Sequence, residues 1–77
     1  MELNEFVEKF AEQFEETDKS LITADSDYKN LDEWSSLVAL TIIAMVDEEY
    51  DVQLKGADIR DSVTIRDLFE RVVAQKK

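Results

Sequence analysis

The chain has 77 residues, 19 acidic and 9 basic, for a formal net charge of −10; a chain this short buries only roughly 60% of the surface its unfolded form exposes. Residues 1–77 are therefore read as one domain with little room for an enclosed active site, whose field repels nucleic acid and anionic membrane and attracts basic protein surfaces. With no cysteine and no histidine, there is no disulfide framework, no thiolate nucleophile and no conventional zinc site.

The start, Met1-Glu2-Leu3-Asn4-Glu5, is acidic and lacks an apolar signal core. No later run approaches the roughly 20 apolar residues of a membrane span, so a cytoplasmic protein is expected. From there helical periodicity dominates. Leu3, Phe6, Val7, Phe10, Ala11 and Phe14 share one arc at about 100° per residue, with Glu5, Glu8, Lys9 and Glu12 opposite, which predicts a first helix over residues 3–16.

Thr17 to Trp34 is rich in Ser, Thr, Asp and Asn, whose side chains compete with backbone pairing and favour turns. Leu21, Ile22, Tyr28, Leu31 and Trp34 punctuate this stretch with apolar anchors. The expectation is a long ordered loop held against the core.

Trp34-Ser35-Ser36-Leu37 then opens an apolar-periodic run that closes in Asp47-Glu48-Glu49-Tyr50-Asp51-Val52. Ala39, Ile42, Ile43, Val46 and Tyr50 form its core arc. Leu37, Leu40 and Ala44 fall on the other side with Thr41, Asp47 and Glu48, and an apolar patch rimmed by acids reads as a docking surface. Gly56, the only glycine, marks the turn after this helix. A short helix around Ala57 to Arg60 follows, with Ile59 and Val63 directed inward. Ile65, Leu68, Phe69, Val72 and Val73 define a last helix over residues 65–74, and Thr64 with Asp67 makes a capping box with aspartate in place of Glu or Gln. The pattern predicts an all-α, four-helix bundle with one long crossing loop and one short helix.

The Ser36-Leu37 pair at a helix start, together with the acidic-aromatic ending Asp47 to Val52, resembles the acyl carrier protein family, and the likeness runs from about Leu3 to Val73. The resemblance implies the bundle of acyl carrier protein type. It also implies that the Ser36 hydroxyl carries 4′-phosphopantetheine as a phosphodiester, with Ser35 as the helix cap. In this reading the protein is not an enzyme. It is a monomeric carrier that presents acyl intermediates as thioesters, its partners being a phosphopantetheinyl transferase and acyl-transferring and synthase enzymes with basic surfaces. A chain without cysteine must obtain its thiol from such a prosthetic group. A helix start suits a phosphodiester, because unpaired amides and the positive end of the macrodipole meet its charge.

Family members commonly carry acids before the serine and along the exposed side of the helix. Ser35, Val38 and Thr41 stand at those positions here, while Asp47, Glu48, Glu49 and Asp51 remain. Recognition near Ser36 is thus more apolar than usual, as in a carrier of a specialised pathway and not only of fatty acid biosynthesis. Fatty acyl, polyketide, amino acid and sugar-linked cargo all remain open.

Other readings compete with this one. A serine before a helix commonly serves only as a cap, worth about 1 kcal/mol. Asp25, Asp27 and Asn30 superficially match a calcium loop, but the turn glycine is missing and Ser36 stands where its last ligand, a glutamate, is needed. Trp34 is read as a packing anchor rather than a binding aromatic. Glu15-Glu16 and Asp47-Glu48-Glu49 read as solvated helix faces, and no pair of carboxylates sits in an evident pocket for acid-base chemistry. The alternative of a different class is an acidic helical interaction module that keeps the carrier fold without a cofactor.

Overall fold

A computed structural model describes residues 2–76. Among them are four α-helices: α1 (Leu3–Ala11), α2 (Ser36–Tyr50), α3 (Gly56–Asp61) and α4 (Ile65–Gln75), with single 3₁₀ turns at Lys19–Leu21 and Tyr28–Asn30. The chain is all-α over this range, apart from one isolated bridge between Asp27 and Thr64. Helix α1 packs on α4 and α2, and α3 packs on α4.

The predicted arcs become the core. Phe6 and Phe10 of α1, Ile42 and Val46 of α2, and Ile65, Leu68 and Val72 of α4 are fully buried. Removing such a side chain from water contributes about 1.5–3 kcal/mol. Aromatic rings link these elements: Phe6 lies 6.2 Å from Phe10, Phe10 lies 5.4 Å from Tyr28, and Tyr28 lies 5.0 Å from Trp34. Trp34 thus packs into the structure as the sequence suggested.

The loop between α1 and α2 is ordered by the bonds it makes. Ile22 and Tyr28 are buried in it, and Leu31 and Trp34 pack partly against the core. The buried Tyr28 hydroxyl donates to the carbonyls of Ile59 and Ser62, at 2.6 and 3.2 Å. The first amides of α4, those of Ile65 and Arg66, donate to Ser26 and Ala24 carbonyls at 3.3 and 2.8 Å. The Thr64–Asp67 capping box is present: Asp67 N donates to Thr64 Oγ1 at 3.1 Å, and Thr64 N donates to the Asp67 carboxylate at 3.2 Å. Asp25 pairs with Arg66 and Asp27 accepts from Asn30, so both acids of the calcium-like stretch have partners within the protein.

Several expectations need correction. The α-helical part of α1 ends at Ala11, not at residue 16. A tighter turn follows, in which Gln13 and Phe14 amides donate to Phe10 and Ala11 carbonyls; it keeps Phe14 buried while the next three amides turn to Glu33. Leu21 is no anchor, being 65% exposed, because the 3₁₀ turn directs Ile22 inward instead. Val63, expected inside, is 53% exposed, and Val73 also lies outside the core. Gly56 does not make the reversal after α2. That is done by Asp51, in the left-handed region at φ 56° and ψ 40°. Gly56 has an ordinary negative φ and begins α3. Between them residues 52–55 belong to no helix and alternate in burial, Val52 and Leu54 inside and Gln53 and Lys55 exposed, as in a segment with one covered face.

Candidate functional site

The start of α2 collects the features the sequence pointed to. Ser35 is the N-cap, with extended backbone, and its Oγ accepts from the Val38 amide at 3.3 Å. Ser36 is the first helical residue and is exposed. Among the described residues, no hydrogen bond engages the Ser36 hydroxyl, and the amides of Ser36 and Leu37 find no acceptor. Such orphan donors are what a helix start offers an anion.

The charge around the four helix starts sharpens this. Helices α1, α3 and α4 carry an acid in the first turn, Glu5, Asp58 and Asp67, whereas α2 carries none. The positive end of the α2 dipole is therefore uncompensated by its own side chains. In a chain with net charge −10, the absence of an acid at Ser35 leaves a less negative spot beside Ser36.

Downstream, Leu37 and Leu40 are 70% and 62% exposed, and Ala44, Asp47 and Glu48 are exposed with them. Successive spacings of three and four residues place Leu37, Leu40, Ala44 and Asp47 on one face. Thr41 departs from the expectation. It is half-buried, and its hydroxyl donates back to the Val38 carbonyl at 2.7 Å. Thr41 and Glu48 belong to a cleft against α1 that also holds Lys9 and Gln13, whereas Leu40 and Asp47 border a depression toward Leu54 and Lys55. Ala44 borders both. The predicted docking set is thus a ridge of Leu37, Leu40 and Ala44 with a cleft on either flank.

Two more assignments on α2 change. Met45 is buried although it lay outside the predicted arc, and Val38, taken as an exposed position, packs partly against the core. Helix α1 covers that side of α2, pinned by the Lys9–Glu49 ion pair at 2.9 Å; the bond to Glu49 raises the Lys9 pKa. Val38 and Thr41 are both half-buried on that side, where a charged side chain would lose hydration.

Sequence reasoning missed Glu33, two residues before the cap. Its Oε2 accepts the Glu15 amide at 2.8 Å, and its Oε1 accepts the Glu16 amide at 3.0 Å and both the amide and hydroxyl of Thr17 at 2.8 Å. The Thr17 hydroxyl, with these amides, holds the carboxyl below its usual range. No periodicity or local motif marks a contact between residues so far apart in the chain.

No protein-family model matches this chain, and no curated protein or solved structure is significantly similar to it. Among the described residues, no helix is long and apolar enough to cross a membrane.

Proposed function

We propose that the chain is an acyl carrier protein, a four-helix bundle of that type, whose Ser36 is the attachment point for 4′-phosphopantetheine. One observation carries this reading: among the described residues, an exposed serine hydroxyl, free of hydrogen bonds, stands at the start of the one α-helix whose first turn has no acid, beside two amides without acceptors. A phosphodiester there would be met by donors and by the helix dipole. When attached, the arm supplies the thiol that a chain without cysteine lacks. Ser35 is a poorer candidate, because its oxygen already accepts from Val38. The ridge of Leu37, Leu40 and Ala44 would face the transferase and the acyl-handling enzymes. Asp47 and Glu48 would meet their basic surfaces, and the overall charge would steer the encounter.

The test is intact mass after incubation with coenzyme A and a phosphopantetheinyl transferase. The wild type and Ser35→Ala should gain the mass of one phosphopantetheine, and Ser36→Ala should gain none. A wild-type protein of unchanged mass would leave the interaction module, with Leu37 and Leu40 as its contacts, in place of a carrier.

A further inference from the structure

We propose that Glu33 is a positioning residue for Ser36: its carboxylate locks the segment before α2 onto the end of α1 and so fixes where the Ser36 hydroxyl is presented. The proposal rests on the carrier reading of Ser36, and the experiment below separates the two.

Three successive amides, from Glu15 to Thr17, and the Thr17 hydroxyl converge on this one carboxylate within 3.0 Å. A run of adjacent amides forms a concavity suited to an anion, and hydrogen bonds to an ionised acceptor are roughly twice as strong as neutral ones. The contact also stands against the local charge. Glu33 shares this region with Glu15, Glu16, Asp18 and Asp32, so a carboxylate is repelled there unless the donors outweigh the repulsion. A neutral side chain would join the two segments without that cost, but could not accept from four donors. The next residue, Trp34, packs against Phe14 and Tyr28. The junction is therefore held by a polar pin at Glu33 and a ring at Trp34, immediately before the Ser35 cap and Ser36.

Among the described residues, no hydrogen bond holds the exposed Ser36 side chain. Its placement is inherited from residues 33–35, and a segment that is only fractionally in the competent arrangement weakens apparent affinity by that fraction. Loss of Glu33 should therefore raise the KM of a transferase for the protein more than it lowers kcat.

The experiment compares wild type, Glu33→Gln, Glu33→Ala and Thr17→Val with Ile65→Val, a core change on α4 remote in sequence from the junction. Transferase kinetics are measured at a temperature where circular dichroism shows each variant folded, with hydrogen exchange at the Val38 and Ala39 amides alongside. Glu33→Ala and Glu33→Gln should raise KM about tenfold at nearly constant kcat and speed exchange at both amides. Thr17→Val should raise KM about twofold, and Ile65→Val should leave it unchanged while lowering the Tm. Should Glu33→Ala not fold, Thr17→Val and Glu33→Gln carry the comparison. Equal KM in the wild type and Glu33 variants, or an equal rise in Ile65→Val, overturns the positioning role. A wild type that accepts no label overturns the carrier reading and with it the role of Glu33 in labelling, and exchange at Val38 and Ala39 then decides whether the lock itself exists.

Discussion

Tyr28 donates its phenolic proton to the backbone carbonyl of Ile59 at 2.6 Å, joining the loop to α3 across 31 positions of sequence. Burial pushes the Tyr28 phenol up from 10.0 to about 12. Removing the hydroxyl in Tyr28→Phe leaves the Ile59 carbonyl without this donor, a loss of about 1–3 kcal/mol. The raised pKa means that folding favours the neutral phenol. The corresponding stability is complete below pH 10 and is lost as pH rises toward 12. Urea melts across this range should show the wild type approaching Tyr28→Phe in stability; a difference independent of pH would contradict the linkage.

The exposed leucines and the buried isoleucine of α2 should respond oppositely. Ile42 is fully buried, while Leu37 and Leu40 are largely exposed. Ile42→Ala should lower stability by about 2–5 kcal/mol, and Leu37→Ala or Leu40→Ala by less than about 0.5 kcal/mol. Under the proposed carrier role, the two leucine variants should be impaired in transferase kinetics while remaining folded, because an apolar side chain buried at an interface centre contributes about 1–2 kcal/mol to binding. Paired melting and labelling measurements check both halves.

A glycine exchange tests the backbone around α3. Asp51 holds a left-handed conformation that costs an L-residue roughly 1–2 kcal/mol, less for aspartate, and nothing for glycine. Gly56 has space for a Cβ and no positive φ. Asp51→Gly and Gly56→Ala should each raise stability, the latter by about 0.4–1 kcal/mol. Asp51→Val should lower it. Thermal melts of the three variants decide the matter, and a destabilised Gly56→Ala would mean that the start of α3 needs the glycine for another reason.

Charge sets a fourth expectation. Lys9, Arg66 and Arg71 pair with acids, and Lys29 and Lys76 donate to the carbonyls of Arg60 and Tyr50. These bases hold elements together, yet 19 acids face only 9 bases. Self-repulsion then opposes the compact state, and salt screens it over a Debye length of about 10 Å at 0.1 M. Added sodium chloride or millimolar magnesium should raise the Tm. A Tm indifferent to both would show that the repulsion is already negligible.

What the sequence determined by itself lies where the cause is local. The spacing of Phe6 and Phe10, of Ile42 and Val46, and of Leu68 and Val72 defined the helices and their buried faces, since the helical period alone brings such residues together. The Thr64–Asp67 box, the Ser35 cap and the off-core placement of Leu37 and Leu40 were legible for the same reason. Tertiary structure decided the rest. Helix α1 ends at Ala11 because the Glu15 to Thr17 amides meet the Glu33 carboxylate instead of continuing the helix, and nothing in either segment names the other. Met45 and Val38 turn inward because α1 covers that side of α2, which widens the buried face beyond the arc that hydrophobicity defined. Asp51, not Gly56, takes the left-handed position, because the reversal must fall where α2 runs out and Val52 and Leu54 have to reach the core. Composition announces that such a turn is available, but only packing selects the residue that makes it.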